Sequence, residues 1–315
     1  MRGMVRLLSL FAPRRSWFQY RLKTLFVLVV VIAAPCAWLK MKVDQKRRER
    51  AAVSTIKKHG GNSKYRWEVD RERQPPGHKR MQAILGSDWF TNVDEVYLRD
   101  STQTDAAMTY VGYLTQLRTL VLKNSQVSDE GLSKVDDFLD LRTLDLSHTL
   151  ITDSGLQHLQ RLTLITRLSL DGTRVTDDGL KYLQGMASLE QLFLAGTQVS
   201  DTGLKNFEGL TTLQTLFLEG TFVTDAGIKH LSGLASLHVL SLEGTQITDA
   251  GLKHLQHLTM LEQLFLDRTQ LTDAGLKHLY GLKRLKALGI TETQTTDVGV
   301  RELQTKLHKC FINRW

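Results

Sequence analysis

The ionisable side chains of this chain fall on a grid. An aspartate stands at Asp105 and again every 24 residues as far as Asp297, and a serine or threonine keeps the same interval from Ser101 to Thr293. Carboxylates beside hydroxyls can hold or move protons, but an acid or base that turns over a substrate is needed once, in a constellation of unlike groups. An aspartate repeated in every unit reads as structure. His158, His230, His254 and His278 share one register and invite a metal reading. Zinc needs three or four donors converging within about 2.0–2.2 Å, whereas side chains one unit apart sit roughly a strand spacing, about 4.8 Å, from each other and diverge into solvent. With Lys181, Lys205, Lys229, Lys253 and Lys277 beside them, the histidines predict a solvated surface. Cys36 and Cys310 are the only cysteines, and they build neither a disulfide framework nor a metal site. No nucleophile–base pair, phosphate loop or ligand cluster stands outside the repeating columns. The sequence thus predicts a protein that is not an enzyme, with no catalytic residue, metal or cofactor.

What positions these columns is a 24-residue unit that recurs nine times in the 216 residues from Val93 to His308. Units opening at Leu141, Ile165, Leu189, Leu213, Leu237, Leu261 and Leu285 read LxxLxLxxTx[VI][TS]DxGLxxLxxLxx, and those opening at Val93 and Leu117 diverge from it. The first half of the unit has the pattern of a short strand and the second that of a short helix. A lone unit cannot bury its apolar face, so units must stack. The expected fold is an α/β solenoid with short parallel strands on a concave face and helices on a convex one. In the unit from Leu213, the core is predicted from Leu216, Leu218, Val223, Ile228, Leu231 and Leu234. The hydroxyls at the ninth position are expected to form a ladder that satisfies backbone groups, and the Ser/Thr-Asp pair to cap the helix that follows. Glycine at the fifteenth position, Gly131 to Gly299, is expected to permit close packing at the helix start.

Units differ from one another at the third, fifth and seventh positions, which point outward from the strands. The fifth position includes Phe193, Phe217 and Phe265, and the seventh includes Asp171, Glu219, Glu243 and Asp267. The core does not call for aromatic rings exposed on a strand beside carboxylates, and solvated apolar clusters mark binding patches. These seven residues are the candidate ligand-binding set. They favour a protein or peptide partner, and the acidic neighbours favour a basic one.

Charge divides the chain. Lys and Arg outnumber Asp and Glu by 20 to 6 over residues 1–92, and the balance falls to 21 against 27 over 93–315. A nucleic-acid reader would carry its positive field on the folded surface, so nucleic acid is not expected. Residues 24–39, TLFVLVVVIAAPCAWL, hold no charge and are bracketed by Arg21 and Lys23 and by Lys40 and Lys42. Sixteen residues rise about 24 Å against a hydrocarbon core of roughly 30 Å, a short span that snorkelling Lys and Arg could complete. A cleaved signal peptide is the rival reading, but Pro35 spoils each candidate cleavage site. Six basic residues flank each side, so charge does not set the orientation. The expected organisation is a basic tail over 1–23, a signal-anchor over 24–39, a juxtamembrane helix over 40–62 ending at Gly60-Gly61, an N-terminal cap over 63–92, the repeats over 93–308 and a C-terminal cap over 309–315. Within the N-terminal cap, 63–70 alternates as a strand, and Met81, Ile84, Leu85, Trp89 and Phe90 supply a hydrophobic seal for the first unit. Leu307, Cys310 and Ile312 form the closing strand.

The units TDAGIKHLSGL and TDAGLKHLQHL resemble the leucine-rich repeats of ribonuclease-inhibitor-like and F-box-associated proteins, with Thr at the ninth position in place of Asn or Cys. FQYRLKTLFVLVVVIAA, the helix ending HGG, YRWEV, PPG and ILGSDWFTNVDEVYL are similar to a family of single-span bacterial leucine-rich repeat proteins abundant in planctomycete-type bacteria. The resemblance implies a horseshoe solenoid on an N-terminal anchor, with the N-terminus cytoplasmic and the repeats outside the cytoplasm, and it implies no known ligand. Residues 1–92 show no F-box-like segment, so an adaptor role in ubiquitin ligation does not carry over. The functional expectation is a membrane-anchored scaffold that binds a protein or peptide through its concave face. The alternative is a structural or self-associating component of the cell envelope. Oligomeric state is left open.

Overall fold

The computed structural model describes residues 33–69 and 79–314. The chain divides into two compact units, Met1–Arg50 and Ala51–Trp315. Helix α1, Ala34–Lys58, begins in the first and ends in the second. Of the expected membrane span, 24–32 lies outside the described residues, as does the basic tail. Residues 34–39 are helical and run on without a break into the basic stretch after Lys40, so no element boundary falls at 39/40. Among the described residues no helix is long and apolar enough to cross a membrane. The helix ends where expected, because Gly60 adopts φ +77° and a Cβ on Gly61 would come within 2.6 Å of Leu98 Cδ2.

The second unit is built on an eleven-stranded sheet in chain order. Strand β1 (Asn62–Tyr65) pairs antiparallel with β2 (Val93–Tyr97). It is shorter than the strand expected over 63–70. Glu68 accepts the N–H of Tyr65, three residues back, at 2.6 Å, and Arg66 pairs with Asp94 at 2.9 Å, so Arg66–Val69 closes as one helical turn. Strands β3 (Thr119–Val121), β4 (Thr143–Asp145), β5 (Arg167–Ser169), β6 (Gln191–Phe193), β7 (Thr215–Phe217), β8 (Val239–Ser241), β9 (Gln263–Phe265), β10 (Ala287–Gly289) and β11 (Phe311–Asn313) follow in parallel. From β2 to β10 each residue is paired with the residue 24 positions on, so equal positions of successive repeats stand in columns.

The predicted core forms. In the sixth unit, Leu213, Leu216, Leu218, Val223, Ile228, Leu231 and Leu234 are wholly buried, and the equivalent positions of the units opening from Leu117 to Leu261 join one continuous cluster, which the first and last units complete in part. The helical half is short, as expected. Most units make one α turn, such as Asp225–Ile228, followed by a 3-10 turn, such as Lys229–Leu231. Only the first and last units, with Thr104–Val111 and Asp297–Lys306, make longer helices. The N-terminal seal also differs. Met81 and Ile84 are exposed, and the first repeat is covered instead by Ala52, Val53 and Ile56 from the end of α1 and by Tyr65 of β1.

The polar columns work differently from the expected hydroxyl ladder. The ninth-position hydroxyl donates within its own unit, as Thr221 Oγ1 does to the Leu218 carbonyl at 2.7 Å. The ladder belongs to the aspartates. Asp225 accepts the N–H of Thr248 at 2.9 Å through one oxygen and the Thr248 hydroxyl at 2.6 Å through the other, and Thr248 Oγ1 in turn accepts the N–H of Ala250, capping its helix. Each aspartate from Asp105 to Asp273 serves the next unit in this way. The glycine at position fifteen makes room for it, since a Cβ on Gly251 would strike the Asp225 carboxylate. After the last unit, Asp297 pairs with Arg314, next to β11. Leu307 and Cys310 are buried and Ile312 packs against the core, but of the three only Ile312 lies in the closing strand β11; Leu307 ends the last helix and Cys310 stands just before the strand.

One column was not anticipated. The eighth position lies in the left-handed region in every unit, as Gly172, Gly196, Gly220 and Gly244, and as Asp100, Asn124, His148, Arg268 and Glu292 with φ between 55° and 58°. The backbone must turn there from strand to loop, so five units hold a side chain in a conformation that favours glycine.

Candidate interaction face

On the open face of the sheet, the fifth position runs from Tyr97 through Asp145, Ser169, Phe193, Phe217, Ser241 and Phe265. Three of the seven predicted site residues are therefore rings in one column. Phe193 and Phe217 are direct neighbours and touch edge to face, with centroids 5.1 Å apart and planes at 73°. Phe265 stands two strands beyond Phe217, on the far side of Ser241, which is wholly buried. The rings are half-buried, not exposed as expected. Strands one spacing apart crowd large side chains of one column against each other, as the contact of Phe193 with Phe217 shows.

The four predicted carboxylates share the seventh-position column, with Ala195 between Asp171 and Glu219. Two are tied into the scaffold. Asp171 accepts the N–H of Ala195 at 2.8 Å and the hydroxyl of Ser169 at 3.2 Å, and Asp267 accepts the N–H of Thr291 at 2.7 Å. Asp171 also ends a polar chain in which Ser147 donates to Asp145 at 2.7 Å and meets Ser169 Oγ at 2.6 Å. Burial holds the Asp171 carboxyl above its usual range against the opposing pull of these donors. Glu243 is paired with Arg268. Glu219 forms no ion pair among the described residues. Burial raises its pKa, the Ser241 hydroxyl opposes this, and the charges of Asp171 and Glu243 add to the rise. The face thus concentrates negative charge around a half-buried aromatic strip.

Sequence reasoning missed two cations on this face. Arg167, third in its unit, stacks on Phe193 at 4.6 Å from the ring centroid and donates to Gln191 at 2.8 Å. Its place in the strand, two residues before Ser169 on the same face, was the available signal. Arg268 sits in the left-handed column, where sequence gives no direction for its side chain. At the first unit, Tyr97 is flanked by Lys64 and Arg99, 5.1 and 5.4 Å from its ring centroid, and Lys64 and the Tyr97 hydroxyl both bind Glu95.

On the helix side, His158 meets Asp136 and His230 meets Glu208, each at 3.0 Å. These histidines turn to a carboxylate of the preceding unit and not to each other. Among the described residues, no group of three or more His, Cys, Asp or Glu side chains is placed to hold a metal ion.

The family described as Leucine Rich repeat matches at residues 140–159 and 233–255. Among solved structures, internalin C2 of Listeria monocytogenes is similar at 28% identity and a TM-score of 0.53, over 67% of this chain and 84% of that one. Internalin F of the same organism aligns at 17% identity and a TM-score of 0.31, over 75% of this chain and 93% of that one. Comparison with curated proteins gives no match. The 24-residue units and their parallel sheet agree with the leucine-rich repeat match and with the likeness to internalin C2 in one architecture, a solenoid of stacked strand–helix repeats.

Proposed function

We propose that this chain is a non-enzymatic scaffold that binds a protein or peptide partner on the open face of its sheet, between β5 and β9. The observation that carries the reading is the clustering of Phe193, Phe217 and Phe265 in one column with Glu219 and Glu243 in the next. The repeat pattern requires none of these residues, since other units place Val121, Asp145 or Gly289 at the ring position without loss of the core. Half-buried rings bordered by charge offer apolar area with a polar rim, the composition of a hot-spot surface. The negative field selects a basic partner and repels nucleic acid.

The same reading takes residues 24–39 as a single membrane anchor, with the repeats outside the cytoplasm, and the units as a ribonuclease-inhibitor-like type in the manner of planctomycete-type bacterial proteins. A topology reporter fused after Trp315 tests the anchor, and activity only on the cytoplasmic side would overturn that part. Photo-crosslinking amino acids placed at Ala195 and Glu219, and at Lys229 and Lys253 on the opposite side, test the face. Expression in the native host should give a discrete crosslinked protein from the first pair alone. Crosslinks only from the lysine positions would overturn the assignment.

A further inference from the structure

The open face already shows how it treats a cation. Two of its ring positions are filled from within the chain: Tyr97 by Lys64 and Arg99, and Phe193 by Arg167. Phe217 and Phe265 occupy the same column, and no cation among the described residues stacks on either. Beside them, Glu219 is without an ion pair among the described residues. Ser241, wholly buried between the two rings, lies near Glu219 without completing a hydrogen bond to it. The nearest cations are engaged, Arg167 on Phe193 and Arg268 on Glu243. The strip over β7–β9 therefore repeats the surroundings of the filled positions but lacks the positive group.

We propose that this strip takes an arginine side chain from a basic segment of the partner, its guanidinium lying on the Phe217–Phe265 surface and donating to Glu219, with Glu243 adding to the attraction. The inference rests on the scaffold reading above and names the chemistry of what that scaffold binds. Arginine fits better than lysine because its planar group can stack on a ring and fork onto a carboxylate at once. A lysine ammonium is a strongly hydrated point charge that gains from the carboxylates but less from the rings. Arg167 shows the stacking half of this geometry internally, lying on Phe193 while donating to the neutral amide oxygen of Gln191.

The test uses the purified full chain in detergent and three fluorescein-labelled peptides: an alternating glycine–arginine octamer, its glycine–lysine counterpart and its uncharged glycine–citrulline counterpart. Fluorescence anisotropy at low salt should show the arginine peptide binding about threefold or more tighter than the lysine peptide, the scale of one cation–π contact. The citrulline peptide should not bind. Glu219→Gln should weaken both charged peptides about tenfold. Phe217→Leu and Phe265→Leu should abolish the preference for arginine while leaving weaker, charge-driven binding. Because Phe217 also packs on Phe193, the Phe265→Leu variant guards against a merely structural effect. Equal affinity for the arginine and lysine peptides, or a preference that survives both leucine variants, would overturn the proposal. If crosslinks from Ala195 and Glu219 persist in that case, only the arginine assignment falls. If those crosslinks are also missing, the scaffold reading falls with it.

Discussion

The pairing of Asp225 with Gly251 makes a sharp test of how adjacent repeats are joined. Asp225→Ala removes the acceptor of both the Thr248 N–H and its hydroxyl. Hydrogen bonds to a charged acceptor contribute about 1.5–3 kcal/mol each, less where partly solvated, so the substitution should cost about 2–4 kcal/mol. Gly251→Ala is expected to cost a similar amount for the same reason, since its Cβ would drive the carboxylate away from Thr248. Once the carboxylate is gone, the nearest remaining atom to that Cβ is Ile247 Cγ2 at 3.3 Å, a tight but yielding contact. Alanine also favours the helical turn Asp249–Leu252 over glycine by about 0.5–1 kcal/mol. The double variant should therefore be no less stable than Asp225→Ala alone, giving a coupling of about 2 kcal/mol or more between the sites. Urea denaturation of the four proteins, followed by circular dichroism, reads this directly. If the two losses simply add, the glycine is not there to admit the aspartate.

Other consequences are as specific. Gly220 has φ +61° and nothing within 4 Å of a built Cβ, so Gly220→Ala should cost about 1–2 kcal/mol through the backbone alone, while Glu292→Gly at φ 55° should gain up to about 1 kcal/mol in the same denaturation assay. The raised pKa of Glu219 means that the folded chain holds this proton more tightly than the unfolded one, so its favourable contribution is present below the ordinary value of 4.5 and is lost as pH rises through the folded value. Glu219→Gln should accordingly raise the thermal midpoint at pH 7 and leave it unchanged near pH 3.5, and an equal shift at both pH values would contradict the burial of this group. Cys310 is buried and burial pushes its thiol up to about 11, so a thiol reagent at pH 8 should leave Cys310 unlabelled in the folded chain and label it in urea. Rapid labelling of Cys310 without denaturant would show that the C-terminal end is open.

Much of the architecture is readable in the sequence because a 24-residue period repeats each apolar requirement nine times. The positions of Leu216, Leu218 and Leu231 could be assigned from one unit and checked against the others, and all three are buried. The direction of the aspartate was not readable. A carboxylate that binds the next unit and one that caps its own helix leave the same letter in the same column, and only the parallel register decides between them. The left-handed eighth position was hidden because its four glycines stand in consecutive units flanked by five unlike residues. For the candidate face, the column of rings and carboxylates followed from strand alternation, but not the burial of the rings or the stacking of Arg167. Those depend on neighbours across the sheet. Before Val93 there is no repetition to average over, and the balance between strand and helical turn at Arg66–Val69 is set by single contacts with Glu68 and Asp94.

The aspartate column gives the solenoid a direction. Each unit extends a carboxylate forward and receives one from behind, so every junction is the same joint. A whole 24-residue unit inserted between Leu213 and Leu237 would find an acceptor on one side and a donor on the other, and both ends would be untouched. An insertion of any other length would break one joint and leave the rest. At the far end, Arg314 takes the carboxylate that would otherwise ask for a further unit. Growth by duplication is thereby confined to the interior, with a terminator that need not change as the array lengthens.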